Sequence, residues 1–454
     1  MPFRTRAVYA IQAKIPDRLF IAHVIEAPDL PKPYDRLPSL IAHGAPADAA
    51  NALRGALFAK ILRYAKTASP FYAERIPDAL LQPTATQALW RTVRRLTKEE
   101  LRANDGAIKV AKPPPFAGAT RSAWTSGSTG SPFNGHISAV ADYMNALLLR
   151  RVYGWWDVDG AKGMMQLAVD RQGYQVKPSV ETRQGWYPGD TRGKYHRLTV
   201  SAGIDAQLDH IVDLRPAYLK VAAVHLGALA LRARERKLDI TFDVVFGGAA
   251  PLMADERRLV AEIFKCRVVD VYGTEEIGIL AADCPRCGAY HPAHDLMHFE
   301  VLRDDGAPAR PGETGHVVVT PYMNFAMPLI RYELGDVVEV GQGGQCSNGE
   351  VGLTRIVGRS KNMFTQVDGQ KFLPYVALGD VASLGPIARF RFVQTSLTTI
   401  EFRYKLSGPG EVDLDLLAKV SRKYLGPNFK VTALPMPASD DEAGRKHLVF
   451  ESLI

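Results

Sequence analysis

A short stretch rich in hydroxyl groups and glycine, TSGSTGSPF beginning at Thr125, has the composition of a phosphate-binding loop. Backbone N–H groups and Ser/Thr hydroxyls at this density can surround a polyphosphate. The spacing does not fit a Walker A motif, because two residues rather than four separate Gly127 from Gly130, and Ser131 follows where lysine is required. A kinase or P-loop ATPase is therefore disfavoured. The residues alone leave two interpretations open: a polyphosphate loop and an ordinary Ser/Gly surface turn.

A cysteine pair, Cys284 and Cys287, is followed closely by His291 and could bind a metal. Thiolates and an imidazole at this spacing suit tetrahedral zinc, which needs a fourth ligand. Cys346, in the glycine-rich stretch GQGGQCSNGE, could supply that ligand from a separate hairpin. The alternative histidine ligands are His294 and His298. We predict a closed structural zinc site; free structural thiols are the alternative, and a redox pair is disfavoured because no thioredoxin-like pattern surrounds it.

Helices are expected on both sides of the Ser/Thr/Gly loop, and the spacing of apolar residues predicts where these helices lie. Residues 49–102 have helical spacing, and one face carries four apolar residues: Leu53, Leu57, Ile61 and Leu62. KPPPFAG then interrupts the pattern ahead of the Ser/Thr/Gly loop. The next helix follows that loop, with a predicted buried stripe: Met144, Leu147 and Leu148.

Alternating strands and helices follow, and they predict the fold class. β-Branched runs such as GMMQLAV, ITFDVVFGG and CRVVDVYG alternate with amphipathic helices, which is typical of an α/β lobe with a largely parallel core. After Cys284 the turn signals DDG and RPGETG predict hairpins. We predict a large N-terminal α/β domain over residues 1–357, a β-rich subdomain at about 280–350, and a small α+β domain over residues 358–454.

Composition restricts the classes of partner. The 454 residues carry a formal charge of +8, but Lys and Arg are spread along the chain without a dense basic block. We therefore expect anionic small molecules rather than nucleic acid or a membrane surface. Four cysteines do not make a disulfide framework, and Cys266 is expected at a buried strand start and not as a ligand. The N-terminus lacks an apolar signal region, which favours a cytoplasmic protein.

Three later stretches, taken with the Ser/Thr/Gly loop, resemble a known family. They are YGTEE, NFAMPLIRYELGD and GRSKNMF, and the cysteine cluster DCPRCGAYH follows the first. In this order they resemble the adenylate-forming superfamily of acyl-CoA synthetases, adenylation domains and luciferases, and more closely its phenylacetate–CoA ligase-like branch. The resemblance covers the chain from about Ala119 onward. It implies a large α/β domain and a small, mobile C-terminal domain.

The resemblance implies a two-step reaction and the substrates for it. A carboxylate attacks the α-phosphate of ATP, pyrophosphate leaves, and the thiol of coenzyme A then displaces AMP from the acyl-adenylate. Two anions must meet, so Mg²⁺ and cationic groups neutralise the polyphosphate. The implied ligands are ATP, Mg²⁺, coenzyme A and a carboxylic acid. A homodimer is compatible with this branch.

The resemblance also assigns residues to the site. The β- and γ-phosphates are assigned to the loop residues Thr125, Ser126, Gly127, Ser128, Thr129 and Gly130. The lining of the adenine and acyl pocket is assigned to FGGAAPL, with Gly247 toward the acyl group and Gly248, Ala249, Ala250 and Pro251 toward the nucleotide. The motif YGTEE assigns Tyr272 to adenine, Gly273 and Thr274 to the nucleotide near the α-phosphate, and Glu276 to Mg²⁺. The remaining assignments are Asp336 and Arg359 to the ribose and Lys361 to the hinge.

Ordinary structural roles remain open beside these assignments. Tyr272 could be a buried aromatic at a strand end, Glu275 a solvated carboxylate, and Asp336 a turn cap. In this family the region after the second long helix can line the acyl pocket, where Tyr153 and Trp155 would favour an aryl or arylacetic acid. The alternative is that these aromatic residues cap a core.

Two departures from the family pattern affect the cations of the site. Ser131 replaces the lysine that usually trails the loop. Near the chain end, EAGRKHLVF puts Arg445 directly after the glycine that the catalytic lysine normally follows, and we predict that Lys446 takes the catalytic role. Transfer to an amine or a carrier-protein thiol therefore remains an alternative. A zinc-stabilised nucleotide-binding protein without catalysis is a third hypothesis.

Overall fold

The chain forms two compact units. The computed structural model describes residues 29–454 except residues 83, 126–132, 169–178, 343–350, 377, 407 and 437–448. The larger unit contains the described residues within 1–125, 132–334 and 338–356, and the smaller unit contains those within 335–337 and 357–454. Among the described residues, no helix combines the length and the apolar character that crossing a bilayer requires.

The larger unit contains nine α-helices in its described residues. They are α1 (Leu37–His43), α2 (Ala47–Ala68), α3 (Gln87–Thr92), α4 (Lys98–Ala103), α5 (Asp105–Ile108), α6 (Ala139–Trp155), α7 (Ile204–Leu214), α8 (Ala223–Glu235) and α9 (Ala254–Ile263). Short 3₁₀ segments lie at Tyr34–Arg36, Pro70–Tyr72, Asp78–Leu81, Pro115–Ala117 and Val200–Ala202.

The predicted helical region at residues 49–102 is one long helix followed by short ones. Leu53, Leu57 and Ile61 are buried on one face of α2, as the spacing predicts. The helix ends at Ala68, because the residue before Pro70 adopts an extended backbone. Prolines cannot donate the helical hydrogen bond, so the remainder divides into short segments.

The second predicted helix is α6, whose buried surface is wider than the predicted stripe. Met144 and Leu148 are buried, whereas Leu147 is only half-buried. Val140, Leu149 and Val152 are buried as well. The helix packs against a core on more than one side, and a narrow stripe therefore underestimates its buried face.

A twelve-stranded sheet forms the centre of the larger unit. Its strands are β3 (Met164–Ala168), β4 (Glu181–Gln184), β5 (Lys194–Thr199), β6 (Tyr218–Lys220), β7 (Val244–Gly248), β8 (Arg267–Thr274), β9 (Gly278–Asp283), β10 (Tyr290–Pro292), β11 (Met297–Leu302), β12 (Thr314–Pro321), β13 (Tyr332–Val340) and β14 (Leu353–Arg359). Their spatial order is β11-β12-β13-β14-β10-β9-β8-β7-β6-β3-β5-β4. A separate antiparallel pair joins β1 (Thr120–Thr125) and β2 (Phe133–Ser138).

The sheet combines a parallel half and an antiparallel half. Strands β5, β3, β6, β7 and β8 are parallel neighbours, whereas β9, β10 and β14 pair antiparallel. The helices α7, α8 and α9 connect β5, β6, β7 and β8 in succession, and the β11–β12 hairpin lies in the region where turn signals predict it. This architecture confirms the predicted α/β class with a β-rich part.

Alternate residues of the parallel strands pack into two different cores. Met164 and Phe246 face the core that contains α6, whereas Met165 and Val245 face the core that contains α7, α8 and α9. Both faces are covered, which explains why the strands appear as continuous apolar runs in the sequence. Cys266 lies one residue before β8 and is half-buried rather than buried at a strand start; burial raises the pKa of its thiol to about 12.

The smaller unit contains a four-stranded sheet and two helices among its described residues. The strands are β17 (Ile387–Ser396), β18 (Thr399–Leu406), β19 (Lys430–Pro435) and β20 (Phe450–Ser452), in the order β19-β18-β17-β20. The other elements are β15 (Phe364–Thr365), β16 (Lys371–Phe372), α10 (Leu378–Ala382), α11 (Leu414–Leu425) and the 3₁₀ segment Ser360–Asn362. Phe392, Phe402 and Leu417 form its core, with α11 packed on the sheet.

Candidate active site

A tight turn between β8 and β9 carries the YGTEE motif. Tyr272 is buried near the end of β8, and an irregularity in strand pairing follows it. Gly273 and Thr274 pair with Ile279 and Gly278 across the turn. A Cβ at Gly273 would lie 2.6 Å from the carbonyl oxygen of Gly278, so glycine is needed for this close approach. The two strands can therefore hold the motif in a narrow hairpin.

Glu276 lies in that turn, and its side chain is nearly enclosed. It is 6% exposed, and the Tyr332 hydroxyl donates a hydrogen bond of 3.2 Å to its Oε1 atom. Burial of a carboxylate is costly unless hydrogen bonds or a cation compensate it. A carboxylate oxygen is also the kind of ligand that Mg²⁺ prefers. Glu276 is thus suited to hold a cation at the end of β8.

The hydroxyl of Thr274 has no hydrogen-bond partner among the described residues, although its oxygen is buried. Buried hydroxyls are normally hydrogen-bonded, so this one is suited to bind a ligand atom. A phosphate oxygen is a suitable acceptor for this donor. The observation fits the predicted contact of Thr274 with the α-phosphate region of a nucleotide.

The pocket loop at residues 247–251 begins with the last two residues of β7 and lies beside the Tyr272 motif. Gly247 pairs with Asp270 and Gly248 with Val271, because β7 and β8 are parallel neighbours. A Cβ at Gly248 would lie 3.0 Å from the Val271 carbonyl oxygen, and Ala249 adopts a positive φ of 63°. Ligands of open α/β sheets bind at the carboxyl ends of such strands. The structure therefore brings the predicted pocket loop and the YGTEE motif together.

A buried polar network supports this edge, and the sequence interpretation did not identify it. Asp270 accepts a hydrogen bond of 2.7 Å from the Tyr290 hydroxyl and another from the backbone of Leu252. Asp283 accepts bonds of 2.7 Å from Arg257 and from the Asp270 backbone N–H. Burial raises the pKa of Asp270 to about 6 and also raises the pKa of Asp283. Acidic residues inside the apolar runs VVDVYG and LAADC were the available signal.

The predicted ribose residues contact each other in the smaller unit. Asp336 is buried, and Arg359 Nε lies 3.5 Å from its Oδ1 atom. Gly335 has a φ of 71°, and the Ser360 hydroxyl donates to its carbonyl oxygen at 3.2 Å. Lys361 belongs to the short 3₁₀ segment that follows Arg359. The Asp–Arg pair offers both an acceptor and a donor for ribose hydroxyls.

Several predicted site residues lie outside the described part of the chain. Thr125 ends β1, but the rest of the Ser/Thr/Gly loop, Ser126, Gly127, Ser128, Thr129, Gly130 and Ser131, is not described. The same is true of three C-terminal or hairpin residues: Cys346, Arg445 and Lys446. Their assignments remain predictions from the sequence.

The two aromatic residues predicted for the acyl pocket have different surroundings. Tyr153 is buried, with its ring 5.1 Å from Phe246 and 5.6 Å from Trp186. Tyr153 therefore contacts the residue that directly precedes Gly247 of the pocket loop. The ring of Trp155 instead lies 5.9 Å from the His291 ring. Tyr153 is therefore close to the candidate site, whereas Trp155 is close to the cysteine cluster.

The cysteine cluster brings together three of its predicted ligands. The ligand atoms of Cys284, Cys287 and His291 all lie within 4.8 Å of one another, and the Cys287 Sγ is 3.3 Å from the His291 Nε2. A tight turn closes the cluster, with the Gly288 N–H donating to the Cys284 carbonyl at 2.9 Å. Two thiols and an imidazole fit a zinc site.

The alternative histidine ligands lie elsewhere in the described structure. The His298 ring packs 4.9 Å from Phe58 and 5.7 Å from Trp90. The His294 ring lies 6.3 Å from Phe299. Neither belongs to the group of three ligand atoms formed by the cysteine cluster. The suggestion that they could complete that group is not supported by their positions in the described chain.

Known proteins share this architecture. A crystal structure of 2-hydroxyisobutyryl-CoA ligase in the postadenylation state, in complex with R3-HIB-AMP, matches with a TM-score of 0.67 and 17% identity over 91% of this chain and 92% of that chain. A structure of the same ligase with 2-HIB-AMP and CoA in the thioesterification state matches with a TM-score of 0.60 and 18% identity, covering 95% and 96% of the two chains. The chain therefore has the fold of this CoA ligase, as the motif resemblance predicts.

A sequence relative supports the resemblance over a shorter region. A phenylacetate–coenzyme A ligase from Thermus thermophilus is 27% identical over 176 residues. This match covers 37% of this chain and 39% of the relative. No family model matches the chain.

Proposed function

We propose that the chain is an AMP-forming carboxylate–CoA ligase. It activates a carboxylic acid with ATP and transfers the acyl group to coenzyme A. The observation that carries this proposal is the carboxyl edge of β7 and β8, where the pocket loop, Tyr272, the orphaned Thr274 hydroxyl and the enclosed Glu276 lie together. The shared fold with a CoA ligase bound to acyl-adenylates supports the same activity.

The proposed reaction has two chemical steps. In the first, a carboxylate oxygen forms a bond to the α-phosphorus of ATP, and the bond from that phosphorus to the bridging oxygen breaks to release pyrophosphate. In the second, the sulfur of coenzyme A attacks the acyl carbon, the thiol proton is lost, and the carbon–oxygen bond to AMP breaks. Charge neutralisation governs the first step, because two anions must come into contact.

The residues of the β8–β9 turn have separate roles in the first step. Thr274 donates its hydroxyl to a phosphate oxygen near the reacting phosphorus, and Glu276 holds Mg²⁺. That cation supplies neutralising charge to the polyphosphate when it is bound. Tyr272 presents its ring to adenine beside the pocket loop. Glu276 keeps its orientation through the Tyr332 hydroxyl, so its carboxylate is preorganised for the cation.

Residues outside this turn complete the proposal. Asp336 and Arg359 hold the ribose hydroxyls, and their mutual contact supports this role. Lys361 acts at the hinge of a mobile C-terminal domain. The Ser/Thr/Gly loop at residues 125–130 binds the β- and γ-phosphates, and Lys446 is the cation for adenylation.

An aryl or arylacetic acid is the proposed substrate class. Tyr153, Phe246 and Trp186 form an aromatic cluster, and Phe246 is the residue before Gly247, which supports an apolar wall near the acyl side. Aromatic walls favour flat apolar groups through burial and stacking. The proposed partners are small molecules in the cytoplasm, and the proposed assembly is a homodimer.

We further propose that the cysteine cluster binds structural zinc. Cys284, Cys287 and His291 supply three ligands, and Cys346 is the proposed fourth. A closed four-ligand site would stabilise the fold without taking part in the reaction.

Acid-dependent exchange of labelled pyrophosphate into ATP tests the proposed function. The purified chain is incubated with MgATP, labelled pyrophosphate and one acid at a time from a panel of aryl, arylacetic and aliphatic acids. Exchange with the aryl or arylacetic acids is expected, because adenylation is reversible. The absence of exchange with every acid, in protein that still binds MgATP, would favour a nucleotide-binding protein without catalysis.

The acceptor is tested by adding a second nucleophile to the same reaction. AMP and a thioester should form together only when coenzyme A is present. Hydroxylamine serves as a control, because it traps an acyl-adenylate whatever the natural acceptor. Trapping without thioester formation would instead support transfer to an amine or to a carrier-protein thiol.

A further inference from the structure

Asn145 on α6 makes its side-chain hydrogen bonds to the turn that carries Glu276. Its Nδ2 donates to the Ile277 carbonyl at 3.0 Å, and its Oδ1 accepts from the Ile279 N–H at 3.0 Å. Nδ2 also donates to the Ala141 carbonyl, one turn earlier in the helix, at 3.1 Å. Asparagine is a poor residue for a helix interior, so its presence here indicates a tertiary role.

Gly278 is shaped to receive this side chain. Its φ of 101° is a backbone conformation that favours glycine, and a Cβ there would lie 2.2 Å from the Asn145 Oδ1. The amide of Asn145 therefore occupies the space that any side chain at position 278 would need. Asn145 and Gly278, which lie far apart in the sequence, are matched to each other in this way.

The two bonds lie on either side of the most flexible residue of the turn. Glycine has the largest conformational freedom, so Gly278 alone would leave the hairpin end poorly fixed. Bonds to Ile277 and Ile279 restrain the backbone before and after it. Glu276 precedes Ile277 directly, so the direction of its carboxylate depends on this restraint. The Tyr332 hydroxyl then fixes the carboxylate itself.

We propose that Asn145 is a positioning residue for adenylation, which holds the turn at residues 274–278 so that Glu276 is preorganised for the cation of MgATP. Asn145 acts through the turn and not on the reacting atoms. The inference rests on the proposed function, because it assumes that Glu276 receives the cation. α6 is also the first helix after the Ser/Thr/Gly loop in the sequence.

The experiment compares Asn145→Ala with a matched variant of the same helix. Leu147→Ala removes a half-buried side chain two positions away, and residues at this spacing point to opposite sides of a helix. Three readouts are measured for each full-length variant: the protection of the Ile279 amide by hydrogen exchange, the Kd for MgATP by calorimetry, and the KM values for MgATP and for the acid in the exchange assay. The first two need no acid substrate.

Asn145→Ala is expected to lose protection at Ile279 and to raise the Kd and KM for MgATP about tenfold, with the KM for the acid unchanged. Leu147→Ala is expected to keep all of these values near wild type, even if its melting temperature falls. In the Glu276→Gln background, Asn145→Ala should add less than about twofold, because the two changes act through one carboxylate.

Three results would overturn the inference: retained Ile279 protection in Asn145→Ala, equal effects of Asn145→Ala and Leu147→Ala on the Kd for MgATP, or multiplicative effects of Asn145→Ala and Glu276→Gln. The proposed function fails separately, through absence of exchange in the wild-type protein. In that case the calorimetric and hydrogen-exchange measurements still decide whether Asn145 fixes a MgATP-binding turn.

Discussion

The two ends of β9 are built in different ways. At its Gly278 end, backbone close approach and the Asn145 amide shape a turn around Glu276. At its other end, Cys284 begins a turn that gathers two thiols and an imidazole within 4.8 Å. Hydrogen bonds and close backbone packing shape the first end around a carboxylate, whereas the second end gathers the soft ligands that suit zinc. One strand thus joins a candidate catalytic turn to a candidate structural metal site.

The buried network lies at the cysteine end of β9 and extends to the residue after the pocket loop. Asp283 is the last residue of β9, and it accepts hydrogen bonds from Arg257 and from the Asp270 backbone. Asp270 in turn accepts from Tyr290, the neighbour of His291, and from Leu252 after the pocket loop. If the two ends have these different roles, substitutions at the Gly278 end should lower the rate of the reaction. Substitutions at the cysteine end should lower the free energy of unfolding.

The largest effect is expected from Glu276→Gln. Loss of the carboxylate charge should lower the rate of pyrophosphate exchange about 100-fold and weaken MgATP use, because the cation loses a ligand. The unfolding midpoint in urea should stay near wild type, since glutamine can still accept from Tyr332. Glu275→Gln, the neighbouring acid, is the control and should change the rate by less than about threefold. Equal rates in wild type and Glu276→Gln would remove Glu276 from the site.

A second test distinguishes the backbone strain of a positive φ from the steric clash of an added Cβ at position 278. Gly278→Ala places a Cβ against Asn145 at a positive φ, whereas Gly306→Ala adds a Cβ at a φ of 79° with nothing within 4 Å. Gly278→Ala should therefore cost about 2 kcal/mol more than Gly306→Ala in unfolding free energy. Urea denaturation measures the difference, and the exchange assay should show reduced activity only for Gly278→Ala. Similar losses of stability in both variants would contradict the close contact with Asn145.

Removal of a thiol tests the other end of β9. If the wild-type protein contains the proposed zinc, metal analysis of Cys284→Ser should show its loss, and the unfolding free energy should fall by about 1–2 kcal/mol, since bound metal stabilises the folded chain. Its exchange rate at saturating substrates should remain near wild type at temperatures where the variant is folded. Cys266→Ser, outside the cluster, should retain the zinc. A wild-type protein that is folded and free of metal would disprove the zinc proposal.

The smallest effect expected is on the pH dependence of stability. Burial raises the pKa of Asp270 to about 6, above the unfolded value of about 4, so the folded chain binds its proton more tightly. Stability from this group is therefore lost as pH rises from about 4 to about 6. Arg257, Asp283 and Tyr290 face the carboxyl group and belong to the same network.

Asp270→Asn should remove most of that decline in unfolding free energy. Urea unfolding midpoints measured at about pH 4, 5 and 6 provide the test, because this range lies between the unfolded and the folded pKa of Asp270. Asp239→Asn is the control, because Lys265 lowers the pKa of that exposed carboxyl and leaves the decline in place. If the unfolding free energy of Asp270→Asn falls with rising pH as steeply as that of wild type, another group of the network is responsible.

Much of the fold was predictable because its signals are local. Apolar runs and amphipathic helices alternate along the chain, and this periodicity predicted the α/β class, α2 and α6, and the strands β7 and β8. The spacing of Cys284, Cys287 and His291 predicted a cluster that the structure assembles. The end of α2 was not predicted from apolar spacing, since Pro70 and the short segments after it interrupt a pattern that continues in the sequence.

The candidate site was predictable only in part. The order of motifs points to Tyr272, Thr274 and Glu276, and the structure places the strand that carries Tyr272 and Thr274 beside the pocket loop. Tyr153 and Trp155 lie two positions apart in the sequence, and this proximity predicts a shared place in the acyl pocket. Their rings lie beside different regions, since side chains two positions apart on a helix point in different directions.

By itself, the sequence determined the layered α/β fold, the ordered motifs and the chemistry that their residue types allow, because periodicity and spacing are properties of the chain. Only the tertiary structure decided that Asn145 meets Gly278, that Tyr332 holds Glu276, and that the Thr274 hydroxyl lacks a partner within the described chain. These contacts join residues far apart in the sequence. Their geometry depends on how strands and helices pack, which no local pattern encodes.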